Sequence, residues 1–215
     1  MPPPTRRGWA NPNGRVEGFM REREAWVLRH LDRLERERAE VERVGGIHYL
    51  GELHRIRIVT AERAQRVTTV QRVGAEAGDE LLVTMRTSER RAVERVLEAW
   101  FRERAEASIS LAIDAYARAL AVTPSSVVLR DPRTRWGSAS RGGRLMFSWR
   151  LILAPPASLE TVVVHELCHL RVMGHGPGFW RLVAKLRPEH RADRAWLRRN
   201  SHLIHAALDS ATVRP

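Results

Sequence analysis

The sequence predicts an α+β fold: a twisted, mostly antiparallel sheet packed against a long helix, with a motif-bearing helix and further helices toward the C-terminus. Three observations predict it. Apolar residues recur at helical spacing over several long stretches. Between them lie short runs rich in β-branched residues, separated by brief Gly-containing turns, which read as antiparallel strands. Finally, 215 residues with 43% hydrophobic and 29% charged side chains suffice for one core of ordinary size, and no run approaches the roughly 18 apolar residues of a membrane span.

In chain order, residues 1–14 are Pro, Gly, Asn and Arg, a flexible leader. From Arg15 to Val44, Phe19, Trp26, Val27, Leu31 and Leu34 mark a helix that Gly45-Gly46 stops. "IHYLG", "HRIRIVT", "RVTTVQRV" and "ELLVTM" follow as a small antiparallel sheet. Ser88 is placed to cap a long helix whose buried side is Val93, Val96, Leu97, Trp100, Phe101, Ile109, Ile113, Tyr116 and Leu120. "VVLRD", "TRWGSAS" and "RLMFSWRLILA" read as further strands, with Gly142-Gly143 as a hairpin turn. A helix then runs from Pro156 to Gly174, another ("GFWRLVAKL") stops at Pro188, and a last one reaches from Glu189 toward Leu208. The organisation is a leader (1–14), an N-terminal helix with a small β region (15–85), a catalytic region (86–208) integrated with it, and a tail (209–215).

The charge is +12 with a pI near 11.4. It is almost wholly arginine, since Lys185 is the only lysine. Part of it is helix surface: "REREAWVLRHLDRLERERAEVER" interleaves Arg and Glu at ion-pairing spacings. The excess favours anionic partners. The single cysteine, Cys168, cannot form an internal disulfide, and the opening residues lack the apolar core of a secretory signal, so the expected location is cytoplasmic.

The chemistry concentrates in "VVVHELCHLRVMGHGPGFW", residues 162–180. His165 and His169 are four apart, hence one turn apart on one helix face, where two imidazoles can converge on one zinc ion. Glu166 is the next residue round, within reach of a metal-bound water without being a ligand. With 9 His and 19 Glu in the chain, HExxH arises by chance about 3 times in 100. A third ligand makes chance a poorer explanation. His175 follows six residues after His169, just past Gly174, where the chain can leave the helix and turn back. Glu189 competes for that place twenty residues after His169, and His175 is preferred because its turn is written into the sequence. The spacing from His169 to His175 equals that of the metzincins, whose glycine would fall at Val172. Cys168 reads as a small buried hydrophobe, and Phe179, Trp180, Leu182 and Val183 as packing that fixes the loop of His175. His190 is a candidate transition-state donor. Arg133, Arg135 and Trp136 precede a Gly-Ser turn whose strands lie beside the motif helix, where an extended peptide could dock by main-chain pairing.

"TRWGSAS", "FSWRLILAPP", "VVVHELCHL" and "GHGPGFW", in that order, resemble the YgjP-like metal-dependent hydrolases, relatives of the SprT-like zinc metallopeptidases. The resemblance covers residues 85–200 most strongly. It implies a zincin-like α+β fold, one zinc ion held by His165, His169 and His175, and Glu166 as general base. The chain departs from the pattern where Ala139 replaces the usual cysteine and where Gly176 replaces the usual serine. The family's opening strands are not recognisable before Arg15, which reads as a truncated or divergent start.

Three readings follow. The first is a zinc-dependent hydrolase, specifically a metallopeptidase, acting on peptide or protein through a metal-bound water activated by Glu166. The second keeps the metal and takes a nucleoside triphosphate, gripped by Arg133, Arg135 and Arg150. The third is a nucleic-acid-binding module with structural zinc, which needs a fourth ligand that only Cys168 or Glu189 could supply.

Overall fold

A computed structural model describes residues 23, 24, 26–36, 39, 43, 46–60, 68–74 and 79–208. The leader, the tail and the start before Arg15 lie outside the described residues. The chain divides into two compact units, Met1–Glu40 and Val41–Pro215. In the first, residues 26–36 are helical, with Trp26 stacked on His30 at 5.3 Å between ring centroids. No helix among the described residues is long and apolar enough to cross a membrane.

The second unit is α+β with two small mixed sheets. Strands β1 (Ile47–Tyr49), β2 (Glu52–Thr60), β3 (Thr69–Val73) and β4 (Glu80–Met85) form one sheet in the order β1-β2-β4-β3. Here the expected antiparallel sheet is corrected, because β2 and β4 run parallel with Ile56 opposite Leu81 and Ile58 opposite Val83. The reason is topological: β3 reverses the chain, and β4 returns antiparallel to it and inserts between β3 and β2. Period-two burial looks the same for either direction. β4 hides Leu81, Val83 and Met85 in the core and leaves the residues between them half-buried.

Helix α1 (Arg90–Leu120) follows and is about 46 Å long at 1.5 Å per residue. Val93, Leu97, Phe101, Ala105, Ile109, Ala112, Ile113 and Leu120 form its buried stripe. Ser88 is not its cap. Glu89 holds that position without a side-chain bond, and Thr87 Oγ1 accepts from the Glu89 N–H instead. At the other end Ala121 adopts a left-handed conformation whose N–H bonds back to Arg118, closing the helix.

The second sheet holds β5 (Ser126–Arg130), β6 (Gly137–Ala139) and β7 (Arg144–Ser148) in the order β5-β7-β6. β5 is parallel and β6 antiparallel to β7, so β6 is an edge strand. Gly143, at φ +80°, makes the β6–β7 turn with its N–H bonded to Ser140 O. The apolar run after β7 is not strand, as expected, but a 3₁₀ turn (Trp149–Leu153) with every apolar side chain buried. A continuous apolar run cannot distinguish the two. The Leu50 and Gly51 N–H groups bond to Ile152 O and Leu153 O, docking the β1–β2 turn on this segment.

Three helices finish the unit: α2 (Pro156–His169), α3 (Pro177–Leu186) and α4 (His190–Ala206). Pro156 and Pro177 sit in the first turns of α2 and α3, where the missing N–H costs nothing. α2 packs against α1, α3, α4 and β6, which buries Val163, Val164, Leu167 and Cys168 completely. Arg187 bolts these helices together. Its guanidinium donates to Glu160 (2.6 Å), Asp193 (3.2 Å) and Ala157 O (3.0 Å), while Tyr116 on α1 donates to the same Glu160 oxygen at 2.8 Å. Thr161 donates to Asp193, completing the network.

Candidate metal centre

The last turn of α2 presents His165 and His169 on one face, as their spacing requires. Beyond Leu170 the chain leaves the helix. Gly174, at φ +98°, supplies a left-handed turn that few other residues tolerate. That turn returns His175 to the pair. The three Nε2 atoms stand 3.2 Å (165–169), 3.2 Å (169–175) and 3.1 Å (165–175) apart. Tetrahedral ligands about 2.0–2.1 Å from one zinc ion stand about 3.3–3.4 Å from each other, so the spacing matches a shared cation.

The donor set fits as well. The Nδ1 of His169 lies 3.2 Å from the Val172 carbonyl, which can only accept, so Nδ1 carries the proton and Nε2 a lone pair. A ring of imidazole nitrogens this close cannot be satisfied by proton sharing alone. It calls for a positive centre. Burial first, then the neighbouring His169 and His175, press the His165 pKa down to about 3, so the ring is neutral as a ligand must be. Burial likewise lowers His169.

Phe179, fully buried on α3, holds the cluster. Its ring stacks on His169 at 4.4 Å and meets His165 and His175 edge-on at 4.9 and 5.0 Å. Gly176 starts α3 in extended backbone with no side-chain cap and open space around its missing Cβ. A serine side chain there could cap the helix. Ala139 lies in β6 opposite Leu145.

Glu166 is 6% exposed, and no hydrogen-bond donor among the described residues touches its carboxylate. Burial alone pushes its pKa up to about 7. Gly137 is the reason it fits: a Cβ there would stand 2.8 Å from Glu166 Oε1. Only a strand lacking a side chain at this point can lie so close to the carboxylate.

A cleft of about 510 Å³ joins these groups. Arg133, Arg135 and Trp136 line one wall beside His165, Glu166 and His175. A stripe of α4 that sequence reasoning missed also lines the cleft: Arg194, Arg198, Ser201 and His205, spaced 4, 3 and 4. That spacing is a helical face and was readable. Trp136 stacks on His205 at 5.0 Å between ring centroids. Arg194 lies over the Trp180 ring at 4.5 Å from its centroid.

Other expected residues are elsewhere. Arg150 does not line the cleft. Both its guanidinium edges are taken, by Asp131 at 2.7 and 3.0 Å and by the carbonyls of Ile204 and Ala207, so it cannot grip a phosphate. Glu189 is exposed at the start of α4 and outside the cluster. Cys168 faces the core with its thiol pushed up to about 11 by burial. His190 is buried with its ring stacked on Trp180 at 5.5 Å and does not line the cleft. In a second grouping, Glu52, His54 and Asp79, both carboxylates are already paired with Arg72.

A family model described as YgjP-like, metallopeptidase domain, matches residues 10–200. No curated protein and no solved structure matches the chain.

Proposed function

The chain belongs to the YgjP-like metallopeptidase family and is a metal-dependent hydrolase, and from that premise we propose a zinc peptidase of zincin-like fold, with His165, His169 and His175 holding one ion and Glu166 as general base. The observation that carries this reading is the convergence of three imidazole nitrogens at 3.1–3.2 Å beside a buried carboxylate in the same cleft.

A divalent cation held there supplies Lewis-acid polarisation of the scissile carbonyl and of water. The chain does the rest. The main chain of edge strand β6 can pair with an extended peptide and set its carbonyl over the three imidazoles. Glu166, having no donor of its own, takes the proton of the attacking water on a carboxylate oxygen and delivers it to the leaving amine. Arg194, held against Trp180, steadies the negative charge that develops on the carbonyl oxygen. Trp136 and His205 limit water in the cleft.

Zinc-loaded protein should cleave an unfolded casein-type substrate, lose the activity to a chelator and recover it on zinc addition. Glu166→Gln should bind zinc and not cleave. Turnover confined to nucleoside triphosphates would move the reading to a pyrophosphohydrolase, and none on either substrate class would overturn the hydrolytic assignment.

A further inference from the structure

Several arginines away from the cleft have carboxylate partners: Arg57 with Glu80, Arg72 with Glu52 and Asp79, Arg102 with Glu98, Arg150 with Asp131, Arg187 with Glu160 and Asp193. Others, such as Arg55, Arg144 and Arg199, stand singly on the surface without one among the described residues. What sets the cleft apart is that its arginines gather around one cavity. In the cleft, Arg133, Arg135, Arg194 and Arg198, all exposed to it, have no carboxylate partner among the described residues. They are not grouped on one element. Arg133 and Arg135 come from the β5–β6 connection, and Arg194 and Arg198 from α4, so two separate elements contribute the cationic lining. Among the described residues, the only carboxylate lining the cleft is Glu166. A neutral or basic chain entering there would find nothing to balance these charges, whereas an acidic one supplies the missing partners.

Resting on the peptidase reading above, we propose that the cleft selects acidic polypeptide segments, with Arg133 and Arg135 reading carboxylates on one side of the scissile bond and Arg198 on the other. The dimensions favour a peptide over a duplex. A cavity of about 510 Å³ admits a few extended residues, while B-form DNA presents grooves about 6–12 Å wide between phosphate ridges and would stay outside it. The main-chain edge of β6, entering the cleft at Gly137, is a peptide-type contact that a nucleic acid cannot use. Guanidinium and carboxylate also match two-pronged geometry. Exposed pairs are individually weak, about threefold each, so the selection comes from their sum.

The test uses full-length zinc-loaded protein and quenched fluorescent octapeptides identical except for Glu, Gln or Lys at the two positions on each side of the cleaved bond. The Glu peptide should have a kcat/KM about tenfold above the Gln peptide, with Lys lowest, and the advantage should shrink as salt rises. Arg135→Gln and Arg198→Gln should each lower the Glu-to-Gln ratio about threefold, on opposite sides of the bond when the Glu residues are moved singly. Fluorescence anisotropy of the uncleaved peptides on Glu166→Gln protein gives the same ranking as dissociation constants, so the inference is testable even if turnover is slow. Equal values for Glu and Gln peptides would overturn it while leaving peptide hydrolysis standing. A single-stranded oligonucleotide or a nucleoside triphosphate that displaces the Glu peptide at lower concentration than the peptide's own dissociation constant would also overturn it.

Discussion

Helices α2 and α4 carry two polar regions along their shared contact, and the two are built on opposite terms. Around Arg187, Tyr116, Glu160, Thr161 and Asp193 satisfy one another with bonds that close within the protein. In the cleft, among the described residues, three imidazole nitrogens face one another, a buried carboxylate has no donor, and the four exposed arginines have no acid. Buried polar groups are normally paired, and unpaired ones are kept for a reason. The satisfied region holds helices together. The unsatisfied one waits for a cation and a substrate.

The largest effect expected of this contrast is on turnover. Glu166→Gln should cut kcat/KM by about 10²–10⁴-fold, with metal content near wild type and the fold retained. Retained activity would place the base elsewhere. Arg187→Gln should do the reverse and act on stability. It strands Glu160 and Asp193 without their cation, costing about 3 kcal/mol and lowering Tm by about 10 °C in a chain of this size. A wild-type melting curve would mean the clamp is ornamental.

A third effect separates the regions by pH. Glu166 holds its proton more tightly folded (about 7) than as a free carboxyl (4.5). Its contribution therefore favours the fold below about pH 4.5 and is lost as pH rises through about 7. In chelator-treated protein, Glu166→Gln should gain about 3 kcal/mol in urea titrations at pH 8 and nothing at pH 4. No gain at pH 8 would indicate that the carboxylate is not desolvated. The smallest effect is expected at Gly137→Ala, whose new Cβ would press on Glu166 Oε1. The carboxylate must move, so activity should fall about tenfold at a stability cost of about 1 kcal/mol. Unchanged kinetics would show that β6 does not fix the base.

The gathering of the three imidazoles was legible because a helix fixes the first pair and Gly174 announces the reversal that returns the third. The α1 stripe was legible for the same reason of period. Strand direction was not, since alternation survives inversion, and so β2 against β4 was misjudged. Trp149–Leu153 looked like strand because an apolar run carries no period. Arg150 was misassigned because the sequence does not show that Asp131 and the end of α4 surround it, and the α4 wall was missed although Arg194, Arg198, Ser201 and His205 share one face.

Metal stoichiometry of purified wild-type and His175→Ala protein, read by elemental analysis beside circular dichroism, bears most directly on all of this. The account predicts one divalent ion per chain in the wild type and loss of that ion from a variant that remains folded. A folded His175→Ala protein with its full complement of metal would contradict it.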